Sequence, residues 1–141
     1  MRYFVGNDVA VVEDLTAVPE PFLKIAAYFP DGATEEYRLR IAQAAGGTMR
    51  PVVSGMAWVD LLPQDCDKGT ALAVLQRHLH INREETMAFG DGGNDVLMLK
   101  HVGIGVAMGN AEDEVKLAAD YVTDSVDEDG IEKALRHFGV I

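Results

Sequence analysis

The second half of this chain predicts an α/β fold with a parallel sheet. From residue 65 onward, short apolar runs alternate with stretches of helical periodicity, the pattern of strand–helix–strand units around a parallel sheet. One apolar run, Thr86–Gly90, leads straight into the turn Asp91-Gly92-Gly93-Asn94-Asp95. Open α/β sheets hold their ligands at such strand ends. Residues 1–64 follow a different order, strand–helix–strand–strand with tight turns. That order predicts a small antiparallel sheet with one helix over a face.

The elements follow from local chemistry. Val9–Val12 has the composition of a strand, and Pro19-Glu20-Pro21 ends that segment. Phe22–Phe29 reads as a buried strand and Pro30-Asp31-Gly32 as a turn. Thr34 caps a helix over Glu35–Ala45, with Glu36 in the first turn and Gly46-Gly47 as the stop. Met49–Ser54 and Met56–Leu62 read as two strands of a hairpin around Gly55. Asp67 or Thr70 caps a helix over Lys68–Leu79, whose Leu72, Leu75 and Leu79 keep helical spacing. After the strand Thr86–Gly90 comes a helix over Asp95–His101 that buries Val96, Leu97 and Leu99. Val102–Met108 is the next strand, and Asn110 caps a helix over Glu112–Ala119. A short strand at Tyr121–Thr123 and a helix over Gly130–Phe138 complete the series.

Composition narrows the function. With 141 residues there is enough chain for a real core. The net charge of −11 argues against binding to nucleic acid or to an anionic membrane, since both need clustered cations. Arg38, Arg40, Arg50 and Lys68 stand singly. Cys66 is the single cysteine, so no internal disulfide forms and a reducing, cytoplasmic setting is expected. There is no signal-peptide pattern and no apolar run near the ~20 residues of a membrane helix. The four His residues make no zinc pattern.

The turn after Gly90 carries the chemistry. Gly92 and Gly93 let the backbone turn sharply and approach a ligand. Asp91, Asn94 and Asp95 place oxygen donors there without a thiolate, a set that suits a hard cation such as Mg²⁺. They cannot complete six oxygen ligands alone. The alternative is a polar turn in which Asn94 or Asp95 only caps the next helix. A second acidic stretch, Asp124–Gly130, fails as a calcium loop. With Gly130 sixth, Ser125 takes the first ligand position and Arg136 the last.

Four segments in order resemble the C-terminal half of a Cof-type haloacid dehalogenase-like (HAD) phosphatase: Asp67–Leu72 (DKGTAL), Ala88–Leu99 (AFGDGGNDVLML), Gly105–Ala111 (GVAMGNA) and Tyr121–Ile131 (YVTDSVDEDGI). The resemblance implies a partial HAD-like Rossmannoid parallel sheet over residues 65–141. Residues 1–64 would be the remnant of an α/β cap (β-α-β-β), its C-terminal part. The implied activity is Mg²⁺-dependent hydrolysis of small phosphorylated metabolites, of the sugar-phosphate type, through an aspartyl-phosphate. Lys68 would then neutralise the phosphate and the attacking carboxylate, which fits a cation's effect on both. Its place at a helix N-terminus is otherwise electrostatically poor. Asn94 would contact the phosphate or position Lys68. Asp91 would be a Mg²⁺ ligand and Asp95 a second metal partner through water. Asn110 would hold the loop after its strand.

The chain departs from the family in one respect. No DxDGT motif supplies the nucleophile, and Asp127-Glu128-Asp129-Gly130 follows a run too polar for a buried strand. The 141 residues alone are therefore expected to be inactive. A sheet without its central strand would expose an edge, to be covered by the N-terminal half of the family's core or by a homo-oligomer. The alternative is a non-catalytic binding or assembly module. A receiver-type switch is disfavoured because Lys68 precedes Asp91.

Overall fold

The structure is a computed structural model that describes residues 10–141. It contains two three-stranded sheets of different kinds. The first comprises β1 (Ile25–Tyr28), β2 (Met49–Ser54) and β3 (Trp58–Pro63), with helix α1 (Glu35–Ala44) between β1 and β2. All pairing is antiparallel, with β3 central. The register pairs Tyr28 with Trp58 and Ser54 with Trp58, so Gly55-Met56-Ala57 forms the hairpin turn. Thr34 caps α1 by accepting from the Tyr37 N–H at 3.3 Å, as its side chain predicts.

Two expectations fail in this part. Val9 lies outside the described residues, and Ala10–Val12 form no strand and are exposed. The predicted buried strand Phe22–Phe29 shortens to Ile25–Tyr28 on a sheet edge, with Phe22 and Leu23 exposed. An apolar run records what a segment can bury, not whether anything packs over it.

The second sheet comprises β4 (Met87–Gly90), β5 (Ile104–Ala107) and β6 (Tyr121–Val122), parallel and in the order β4-β5-β6. Its helices are α2 (Lys68–Leu79), α3 (Val96–His101), α4 (Asp113–Ala118) and α5 (Gly130–His137). Val96, Leu99, Val102, Ala107, Met108 and Val115 form the core between the sheet and α3 and α4. Of the predicted stripe on α2, Leu72 packs on this core, whereas Leu75 and Leu79 stay exposed. Gln76 instead anchors α2, donating to Thr86 Oγ1 and meeting His101 Nε2. The helix start is decided for Asp67, whose side chain accepts from the Thr70 N–H while Thr70 Oγ1 accepts from the Asp67 N–H. The strand expected at Val102–Met108 begins only at Ile104, because the Val102 N–H still closes α3 onto the Met98 carbonyl.

Among the described residues β4 pairs on one side only, with β5. Several large apolar side chains are exposed, including Val74, Leu117 and Val126. Asp127 and Asp129 lie in a 3-10 turn and at the start of α5, not at the end of a strand. No described helix is long and apolar enough to cross a membrane.

Candidate active site

β4 ends at Gly90, and the chain turns through Asp91-Gly92 into a 3-10 turn, Gly93–Asp95, that runs into α3. This turn folds Asp95 back under the strand end. A side chain at position 90 would place its Cβ 2.5 Å from the Asp95 Cβ, inside van der Waals contact, so only glycine leaves room. Asp95 is 5% exposed. One carboxylate oxygen accepts from the Asp91 N–H at 3.1 Å and the Gly92 N–H at 3.3 Å. The other accepts from Lys68 Nζ. These three hydrogen bonds hold the loop and the lysine in place.

Lys68 is the first residue of α2. The start of α2 lies close against α3, since a Cβ at Gly69 would meet the Leu97 carbonyl oxygen at 2.6 Å. That approach brings Lys68 to Asp95 across 27 residues of chain. An ammonium at a helix N-terminus opposes the helix dipole, and the buried carboxylate offsets this. The side chain of Lys68 remains 49% exposed against 7% for that of Asp95, so the pair presents its positive end outward. Burial pushes the Asp95 carboxyl up, but the Lys68 ammonium and the two backbone N–H groups outweigh it and hold its pKa below the ordinary carboxylate value.

Asp91 is exposed and takes part in no ion pair among the described residues. Its Oδ2 receives a long contact, 3.5 Å, from Asn110 Nδ2. Asn110 does not cap the following helix as its sequence position predicts. That helix starts at Asp113 behind Glu112, without a side-chain cap. Asn110 Oδ1 instead accepts from the Val126 N–H at 3.0 Å, which ties the β5 loop to the segment before α5. The Glu112 N–H donates to the Asp91 carbonyl at 3.1 Å, so the loops after β4 and β5 are held together.

These residues line one cleft of about 840 Å³. Lys68, Asp91, Asn94, Asp95 and Asn110 form its wall on the parallel-sheet side, with Arg38, Arg50 and Met56 opposite. Glu112 and Glu114 also face it. All four sequence candidates, Lys68, Asp91, Asn94 and Asp95, therefore come together. Arg50 and Glu112 escaped sequence reasoning. Arg50 lies in a strand and shows no motif, and its approach to Lys68 depends on how the two sheets meet. Among the described residues no group of three His, Cys, Asp or Glu side chains could by itself hold a metal ion. The cleft offers what a small anion needs: a fixed, half-exposed cation at Lys68, a neutral amide at Asn94, and at Asp91 a carboxylate without an ion pair among the described residues, free to take a hard cation.

A family model described as haloacid dehalogenase-like hydrolase matches residues 1–135. The chain belongs to that family. It is 51% identical over 72 residues to the 5-amino-6-(5-phospho-D-ribitylamino)uracil phosphatase of Bacillus subtilis, a match that covers 51% of this chain and 29% of that protein. It is 34% identical over 117 residues to an HMP-PP phosphatase of Yersinia enterocolitica, covering 82% of this chain and 43% of the relative. The solved structure of a HAD subclass IIB sugar phosphatase aligns with a TM-score of 0.76 at 42% identity, over 84% of this chain and 44% of that one. The chain thus matches less than half the length of each of these HAD phosphatases. The α/β fold with a parallel sheet is that of HAD phosphatase structures, as the four ordered segments implied.

Proposed function

We propose that this chain carries the phosphoryl- and metal-binding half of a Mg²⁺-dependent HAD phosphatase acting on small phosphorylated metabolites of the sugar-phosphate type. The observation that carries the reading is the Lys68–Asp95 pair, anchored by the Asp91 and Gly92 N–H groups at the end of β4. A buried carboxylate that spends its oxygens on one lysine and one loop is a device for fixing a cation in space. In this reading residues 65–141 are the C-terminal half of the core, and residues 1–64 the C-terminal part of an α/β cap.

Lys68 binds the phosphoryl oxygens and stabilises the charge they carry during transfer. Asn94 donates to the same group. Mg²⁺ fits the site because its donors are oxygens and Asp91 faces the cleft without a cation partner. Asp91 would hold the ion, and Asp95 would serve it through water and through the loop it orders. When bound, the ion adds positive charge beside the phosphoryl oxygens. None of the 141 residues forms a DxDGT motif, so the nucleophilic Asp and its aspartyl-phosphate belong to a segment outside them. The proposed setting is reducing and cytoplasmic, supported by a single cysteine, the exposed Cys66, among the 141 residues.

The decisive assay is hydrolysis of p-nitrophenyl phosphate. The isolated chain is expected to match the buffer blank, and a chain joined to a DxDGT-containing N-terminal half to turn over with Mg²⁺. Mg²⁺-dependent turnover by the isolated chain, abolished in Asp91→Ala, would defeat the claim of a missing nucleophile. One observation favours a second reading, a non-catalytic assembly module: the free edge of β4 among the described residues. That reading requires dimers or larger species in sedimentation, and a compact monomer contradicts it.

A further inference from the structure

Resting on Lys68 and Asn94 as the phosphoryl site, we propose that Arg50 forms a second anion site, so that the substrate carries a second negatively charged group near its phosphoryl group. Arg50 lies on β2, paired in register with Leu62 of β3. Its Nη2 donates to the Cys66 carbonyl at 2.8 Å. Cys66 precedes Lys68 by two residues, at most about 7 Å of backbone at roughly 3.5 Å per extended residue, so the tether keeps the guanidinium beside the start of α2. Arg50 lines the main cleft with Lys68 and Asn94, and it lines an adjoining cavity of about 360 Å³ that shares both residues.

Charge distinguishes Arg50 from the other cations nearby. Arg38 pairs with Glu35 and Lys24 with Asp60, while Lys68, paired with Asp95, is the cation already assigned to the phosphoryl group. No ion pair among the described residues involves Arg50. Its contact with Cys66 is to a neutral carbonyl, which orients the guanidinium without neutralising it. A guanidinium has five N–H donors in a planar fork that matches phosphate or carboxylate. In a chain of net charge −11, an oriented guanidinium without an ion pair among the described residues, beside the phosphoryl site, fits an anion brought by the ligand. The ligand class is a compact phosphorylated compound with a second phosphate or a carboxylate a few bonds away.

The test is a ¹H–¹⁵N NMR titration of the 141-residue chain with inorganic phosphate, pyrophosphate and phosphoglycolate. Pyrophosphate or phosphoglycolate should bind at least about tenfold tighter than phosphate. The stronger of the two identifies the second group as phosphate or carboxylate. Arg50→Gln, which keeps an amide donor for Cys66, should abolish that advantage and leave phosphate affinity within about twofold. Retention of the advantage in Arg50→Gln overturns the proposal, as does an equal loss for all three probes. Lys68→Ala should weaken all three. If it leaves phosphate binding unchanged, the phosphoryl-site reading fails, and the Arg50 comparison still reads separately. No shift at residues 92–95 with any probe at about 50 mM overturns both.

Discussion

Asp95→Asn tests the site at its anchor. The wild-type carboxylate is buried and accepts three hydrogen bonds, one from an ammonium and two from backbone N–H groups. Asparagine is nearly the same size, so packing is kept while the charge is lost. Its amide has a single acceptor oxygen, so one side of the group must turn an NH₂ toward another donor. Hydrogen bonds to charged groups contribute about 1.5–3 kcal/mol each, and breaking a buried pair costs about 3–5 kcal/mol. Lys68 is half exposed and regains water, which reduces the loss to about 2–3 kcal/mol. With a urea m-value of about 2 kcal/mol/M, the unfolding midpoint should fall by roughly 1–1.5 M. The pH dependence gives a second check. Because the folded-state pKa of Asp95 is lowered, its contribution is full above the ordinary carboxylate value and is lost as pH falls through the folded value. The gap between wild type and Asp95→Asn should therefore be widest near neutral pH and close below about pH 4. A midpoint within about 0.3 M of wild type at pH 7, or a gap that widens in acid, would refute the account of Asp95 as a charged anchor.

Two further outcomes follow from the same geometry. Gly90→Ala should cost about 1–3 kcal/mol by overpacking against Asp95, and it should shift the amide resonances of residues 91–95. An unchanged melting temperature would mean that the loop has slack. Calorimetric Mg²⁺ titration of the isolated chain should show millimolar affinity or weaker that is reduced further by Asp91→Ala, since Asp91 supplies few of six ligands and no three described carboxylates cluster to complete them. Micromolar binding would contradict an incomplete site.

Much of this was legible in the sequence because the signals are local. The capping letters at Thr34 and Asp67 and the helical spacing after Lys68 each act within a turn or two of chain, and the structure places those helices at Glu35–Ala44 and Lys68–Leu79. The turn after β4 was read as glycine-dependent at Gly92 and Gly93, neither of which has a positive φ, whereas the tightest approach falls at Gly90 beside Asp95 and shows only in the packed structure. Apolar runs were a poorer guide to burial. Phe22, Leu23, Leu75 and Leu79 have the letters of a core but are exposed. Their burial depends on what packs over them, and that is not encoded within the run.

By itself the sequence determined the strand and helix alternation of residues 65–141, because this depends on side-chain type and short-range spacing, and it pointed to Asp91, Asn94 and Asp95 as oxygen donors at a strand end, while Lys68 entered only through the family resemblance. Only the tertiary structure decided their division of labour. It turned both Asp95 oxygens inward to Lys68 and the loop, and left Asp91 facing the cleft. Of the two roles expected for Asn110, it rejected the helix cap and kept the hold on the loop after β5. It also brought Arg50 from the antiparallel sheet to the start of α2. These roles follow from contacts between residues 15 or more positions apart in most cases, and such contacts exist only once the two sheets and the helix between them have packed.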